Sequence, residues 1–288
     1  AAPSLALSNE QPPVLGITGV GGAGKSSLTD EILWRIIRQA PHKNVAVLSV
    51  DPSKRKTGGA LLGDRIRMNA ASRPQIFMRS VATRANHAAV SANVRESLEQ
   101  LKAADFDLII LETAGIGQSG SEVVDLSDIS LYVMTPEFGA PTQLEKIDML
   151  DYADLVVVNK SDKRGADDAL TYVKKQVQRN RGDFASPVGE MPVFGCISSQ
   201  FGDGGVDQLF ARIITELETQ RPGKWFEAEN SEKAANPPYV LPPNRVRSLS
   251  EISEVIRGYP RETETLAAAA DQWQSLSGSL PFLANTNV

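Results

Sequence analysis

Short, almost unrelieved apolar runs recur along the chain at Val14–Thr18, Val45–Val50, Leu108–Glu112, Ile129–Met134, Leu155–Asn159 and Val193–Ile197. Strands buried on both faces read this way, so the runs predict a largely parallel sheet. Between them apolar residues repeat at helical spacing: Leu28, Ile32, Leu33, Ile36 and Ile37; Val94, Leu98 and Leu101; Leu144, Ile147 and Leu150; Leu209, Ile213 and Leu217. Strand and helix in alternation predict an α/β, doubly wound fold with helices on both sheet faces, whose ligand sites gather beyond the carboxyl ends of the strands.

The pattern changes after Gln220. Residues Arg221 to Pro243 carry five prolines among many polar residues and read as an extended tether. Beyond it, Leu249, Ile252, Val255 and Ile256, and then Leu266 to Leu276 after Pro260, predict two further amphipathic helices. The expected division is a linker over 1–13, a nucleotide-binding domain over 14–220, a Pro-rich linker over 221–245 and a helical extension over 246–288. The opening stretch is rich in Ala, Ser and Pro and has no basic-then-apolar layout, so it reads as a linker cut from something longer.

Charge and composition narrow the partners. With 35 acidic against 30 basic residues the net charge is −5, which supplies no general field for a nucleic acid backbone. No apolar run approaches the ~18 residues of a membrane span. One cysteine, Cys196, and two histidines, His42 and His87, form neither an internal disulfide nor a recognisable zinc spacing. A reducing cytoplasm is the expected setting.

The loop after the first run carries chemistry. Gly19-Val-Gly-Gly-Ala-Gly-Lys25-Ser26 fits G-x-x-x-x-G-K-[ST] between a strand and a helix, which predicts a P-loop NTPase. Backbone N–H groups of Gly21, Gly22, Ala23, Gly24, Lys25, Ser26 and Ser27 would converge on phosphates at the helix's positive end. Lys25 would reach the β/γ oxygens and Ser26 would ligate magnesium. Asn159-Lys160-Ser161-Asp162 follows the fifth run and fits N-K-x-D. The Asp162 carboxylate can accept from guanine N1–H and the 2-amino group. Adenine offers neither donor, so GTP is expected over ATP. Ile197-Ser198-Ser199 would set backbone N–H groups against guanine O6.

Three carboxylates stand where the triphosphate is expected: Asp51, Asp64 and Glu112. All are hard oxygen donors suited to magnesium, although Asp51 and Asp64 also fit turn or helix-cap roles. Glu112-Thr-Ala-Gly115 looks like the D-x-x-G switch of small GTPases with Glu for Asp, so the metal contact can be more distant or water-mediated; Gly115 would offer its N–H to the γ-phosphate. The long connection Pro52 to Arg67 reads as a switch. Within it Arg67 is the preferred phosphate contact, while Lys54, Arg55 and Lys56 read as a solvated charge run. Where small GTPases carry a water-orienting glutamine this chain has Ile116, which predicts slow intrinsic hydrolysis until a partner orders Gln118, Glu122 or an arginine. Lys25, Glu112 and Gln118 are the catalytic candidates.

Asp51-Pro-Ser, the block Thr57 to Met68, Glu112-Thr-Ala-Gly-Ile-Gly-Gln-Ser119 and Asn159 to Asp162 together resemble the MeaB/ArgK group of G-protein chaperones, over about residues 14 to 220. The tail Pro242-Pro-Asn-Arg-Val-Arg247-Ser-Leu-Ser-Glu is similar to the segment leading into the mutase domain of fused isobutyryl-CoA mutases. The resemblance implies a Mg-GTP hydrolase that gates cofactor loading and protection of an adenosylcobalamin-dependent acyl-CoA mutase, with a mobile segment near Gln118 to Asp128 relaying nucleotide state. It implies metal roles for Ser26, Asp51, Asp64 and Glu112, nucleotide contact by Arg67, and a homodimer. Cobalamin itself is expected on other parts of a parent polypeptide, since no D-x-H-x-x-G signature surrounds His42 or His87. Two alternatives stay open: a nucleotide-locked interaction module without turnover, and a metallocentre-insertion GTPase.

Overall fold

The chain was analysed as a computed structural model that describes residues 11–52, 68–83, 87–113, 120–220 and 248–284. It divides into two units, Ala1–Ala235 and Asn236–Val288. In the first, seven strands pair in parallel: β1 (Val14–Gly19), β2 (Val45–Pro52), β3 (Ile76–Thr83), β4 (Leu108–Thr113), β5 (Ile129–Met134), β6 (Leu155–Asn159) and β7 (Val193–Cys196). Their order is β3-β2-β4-β1-β5-β6-β7. Helices α1 (Lys25–Gln39), α2 (His87–Lys102), α3 (Pro141–Leu144), α4 (Met149–Tyr152), α5 (Ala166–Arg181) and α6 (Gly204–Gln220) connect them.

Because successive strand residues point to opposite faces, unbroken apolar runs feed two cores at once. On one face Leu15, Ile17, Val45, Val47, Leu131 and Val133 pack under α1 and α6, which contribute Leu28, Ile32, Leu33, Leu209, Phe210 and Ile213. On the other face Val14, Ala46, Leu48, Ile109 and Leu111 meet Val94 and Leu98 of α2. Farther along that face Tyr132, Met134, Val156 and Val158 pack with Leu144, Leu150, Val173 and Val177 of α3 to α5. The sheet is thus sealed on both sides and opens to ligands at its strand ends.

Three elements of this first unit differ from the sequence expectation. Strand β3 was not anticipated: it is an edge strand paired only with β2, and its half-exposed position lets Phe77 stand 39% exposed beside buried Met78. Leu144, Ile147 and Leu150 predicted one helix, whereas the chain makes the separate turns α3 and α4. Bonds such as Ile147 N–H to Leu144 O at 3.1 Å and Leu150 N–H to Ile147 O at 3.0 Å explain why, for a spacing of three matches the tighter 3₁₀ repeat. Helix α5 was passed over because its buried stripe is only Ala166, Ala169, Val173 and Val177.

The second unit contains α7 (Ser248–Ala284), 37 residues in one helix through Pro260, where two were expected. Ile252, Tyr259, Leu266, Trp273 and Leu280 recur along it every seventh residue, each more than half exposed.

Candidate functional site

The loop that leaves β1 turns on glycine. Gly22 and Gly24 adopt φ of 73° and 91°, values that L side chains rarely take. A Cβ on Gly22 would enter open space, whereas one on Gly24 would stand 2.5 Å from Asn159 Nδ2. Gly24 also forms the N-cap of α1, so the first N–H groups of that helix open at the strand ends. Gly21, Gly22 and Ser27 are exposed, while Ala23 and Lys25 are buried. The Lys25 ammonium lies across the loop, donating to Gly19 O at 3.2 Å and Val20 O at 3.1 Å.

In the first turn of α1, Ser26 Oγ donates to Glu112 Oε1 at 2.6 Å. Thr29 Oγ1 lies 3.0 Å from Lys25 O and 3.1 Å from Glu112 Oε2, so its single proton serves one or the other. Glu112 is 3% exposed and stands at the end of β4 opposite Ile17 of β1, so the strand register itself brings its carboxylate to the phosphate-loop helix. Beside it Thr113 Oγ1 donates to Thr18 Oγ1 at 2.9 Å.

The N-K-S-D segment meets this loop directly. Asn159 Nδ2 donates to Ala23 O at 2.7 Å and to Ser198 Oγ at 2.8 Å, and its Oδ1 accepts from Ser198 N–H at 3.0 Å. Every polar atom of the buried amide therefore joins the β1, β6 and β7 loops. Lys160 takes the left-handed conformation, φ 61°, and its Nζ donates to Gly22 O at 2.7 Å. Asp162 and Ser199 are exposed. Next to them Lys163 pairs with Glu137, which follows β5. That ammonium, with help from Thr135, holds the Glu137 carboxyl down at about 2.

The structure thus brings together Gly21 to Ser27, Glu112, Asn159, Lys160 and Ser198. Asp51 ends β2 in its backbone, while its side chain lies outside the described residues, as do Asp64, Arg67, Gly115 and Gln118. Among the described residues no group of three or more His, Cys, Asp and Glu is placed to hold a metal ion, and no helix is long and apolar enough to cross a membrane. Sequence reading passed over Thr29, although it follows Ser26 by three residues and so shares its helix face. It also passed over Arg35 and Asp203, which brace the β7 loop from behind; Arg35 had advertised itself as a charge inside the stripe of Ile32, Leu33 and Ile36.

Comparison with known proteins agrees with this architecture. The family model described as Methylmalonyl Co-A mutase-associated GTPase MeaB matches residues 6–246. Fused isobutyryl-CoA mutase of Geobacillus kaustophilus is 48% identical over 93% of the chain, and that of Cupriavidus metallidurans 49% over 94%; the chain spans about a quarter, 25%, of each. A putative GTPase of Caulobacter vibrioides is 31% identical over 87% of the chain and 76% of its own length. Among solved structures, HypB from Helicobacter pylori in complex with nickel shares the fold, with a TM-score of 0.51 and 14% identity over 76% of this chain and 92% of that one. With its nucleotide-type loops at the ends of a doubly wound sheet, the chain belongs to the MeaB family of methylmalonyl-CoA mutase-associated GTPases.

Proposed function

We propose that the chain is a magnesium-dependent GTP hydrolase whose nucleotide state gates cofactor loading and protection of an adenosylcobalamin-dependent acyl-CoA mutase. The observation that carries this reading is the union of two motifs far apart in sequence: Asn159 and Lys160 each donate to a carbonyl of the Gly19–Ser26 loop. In this reading those two bonds join a phosphate cradle to a purine reader.

In this reading the N–H groups from Gly21 to Ser27 surround the phosphates and the Lys25 ammonium leaves its loop carbonyls for the β/γ oxygens. Asp162 selects guanine through two accepted hydrogen bonds, and the segment Ser198-Ser199 faces O6. Arg67 and Gly115 are proposed phosphate contacts and Gln118 a proposed water-orienting group.

The oxygen set fits a hard divalent cation. Ser26 gives its proton to Glu112, which leaves its lone pairs available to magnesium and leaves Glu112 as an acceptor for metal-bound water. Asp51 and Asp64 are proposed to complete that shell. Magnesium, when bound, neutralises charge on the β- and γ-oxygens. Cobalamin and acyl-CoA are assigned to the remaining three-quarters of a fused parent, and a homodimer is the proposed assembly. Support for the first of these assignments comes from the fused relatives, each about four times the length of this chain.

Nucleotide binding by Lys25→Ala and Asp162→Asn variants, measured against GTP, ATP and XTP, tests the reading. Lys25→Ala should weaken GTP and XTP alike. Asp162→Asn should shift the XTP-to-GTP preference by about a hundredfold toward XTP, because the new amide donates to the oxygen that replaces the guanine amino group. Purine preference indifferent to residue 162 would sink the guanine assignment.

A further inference from the structure

Arg35 is a buried arginine, 6% exposed, on the third turn of α1. Four hydrogen bonds and an ion pair to Asp207 hold its guanidinium. Nε donates to Asp207 Oδ1 at 2.8 Å, and one terminal nitrogen to Glu31 O at 3.0 Å and Glu31 Oε2 at 2.7 Å. The other terminal nitrogen reaches Asp203 O at 3.1 Å and Asp207 Oδ1 at 2.7 Å. A guanidinium so held is a rigid fork, which a flexible lysine would not replace.

What the fork grips is the end of the loop between β7 and α6. Asp203 Oδ2 accepts from Val206 N–H at 3.0 Å, closing the first turn of α6, and from Ile197 N–H at 3.1 Å, pinning the backbone immediately before Ser198. Ser198 N–H in turn donates to Asn159 Oδ1, and Asn159 Nδ2 donates to Ala23 O at the foot of α1. The links close a circuit: α1, Asp203, the Ile197–Ser199 segment, Asn159, the phosphate loop, and α1 again. Ten residues of helix, about 15 Å, separate its two attachments to α1.

We propose that Arg35 is a positioning residue for base recognition, holding the Ile197–Ser199 backbone at the distance from the phosphate loop that a guanine nucleotide requires. This rests on the GTP reading above. Arg35 touches no part of the expected ligand and acts only through Asp203 and Asp207. Its loss frees the base side of the site while leaving the Gly19–Ser26 turn, Ser26 and Glu112 with their own bonds. Phosphate binding and base binding should therefore separate.

The test uses Arg35→Met and Arg35→Lys in the full 288-residue chain, with GDP, IDP, ADP and inorganic tripolyphosphate as probes. Arg35→Met should weaken GDP and IDP about tenfold each, with their ratio unchanged because the Asp162 contact to the 2-amino group survives. GDP-over-ADP discrimination should shrink, tripolyphosphate affinity should hold, and KM for GTP should rise with kcat falling less than about threefold. Arg35→Lys keeps the charge but not the fork and should fall between; it carries the test alone if Arg35→Met does not fold. Unchanged GDP affinity, or equal losses for GDP and tripolyphosphate, would overturn the role of Arg35. Equal binding of GDP and ADP by the wild-type chain would instead overturn the guanine reading, and the proposal with it.

Discussion

At the scale of single residues, the loop after β1 separates two kinds of glycine. Gly22 has φ 73° but open space where a Cβ would go, while Gly24 has φ 91° and the Asn159 amide 2.5 Å away. Gly22→Ala should therefore cost only the left-handed backbone penalty, about 1–2 kcal/mol. Gly24→Ala adds displacement of a buried amide that makes three hydrogen bonds, so about 3–4 kcal/mol is expected. Urea unfolding of the two variants measures the difference; equal losses would mean that Asn159 does not staple the loop. This contrast marks how far sequence reading reached. The motif singled out Asn159, the last residue of β6, but its partners Ala23 and Ser198 arrive through tertiary contacts that no local pattern encodes. Thr29 and Arg35 were legible in principle, one as a hydroxyl on the Ser26 face and the other as a charge in an apolar stripe. Reading either required knowing what lies opposite, Glu112 in one case and the Asp203–Asp207 turn in the other.

At the scale of elements, apolar runs predicted six of the seven strands, five of them central parallel strands that leave no polar face to confuse the pattern. The one missed, β3, is one of the two edge strands, where a solvated side permits Phe77 and Arg79 among the apolar residues; the other edge strand, β7, stayed legible because Val193 and Cys196 are buried. Helix α7 errs in the other direction. Proline removes the donor that would reach the carbonyl four residues back and crowds that carbonyl, so a break at Pro260 was a reasonable expectation; the structure nevertheless carries the helix from Ser248 to Ala284. In this continuous helix Pro260→Ala restores a bond to Ile256 O and relieves the clash. The helix should gain up to about 3 kcal/mol of local stability. Amide exchange over residues 256–264 should slow accordingly. Exchange unchanged by the substitution would show two helices separated at Pro260, as the sequence alone suggests.

At the scale of the molecule, the sheet order sets β1 between β4 and β5, so the phosphate loop and the strand bearing Glu112 are neighbours and any movement after Glu112 has a short path to the sheet. The segment that follows, the helical turn Gly120–Leu126, lies on β1 itself: a Cβ on Gly16 would meet Val123 Cγ1 at 2.4 Å and Ser127 Oγ at 2.7 Å. Ser127 Oγ donates to Val123 O, and Val14 N–H donates to Asp128 Oδ2, so the C-terminal end of this turn is tied to β1. A glycine at position 16 lets the turn seat against the strand with no side chain between, and a bulky residue there would lift it. With Ile116 unable to orient water, turnover should depend on what the rest of a fused parent does to the stretch between Glu112 and Gly120. The chain by itself should therefore hydrolyse GTP at a rate on the order of 10⁻⁴ to 10⁻² s⁻¹, in the range of unassisted GTPases. On the proposed reading, adding the mutase portion of a fused parent should raise kcat at least about tenfold, and Gly16→Val should abolish most of that gain while leaving GDP affinity within about threefold, since Gly16 lies under the turn. Single-turnover measurements with and without the mutase portion decide it. A fast isolated chain, or a slow one indifferent to the mutase portion, would mean that the loop after β4 is not where the partner acts.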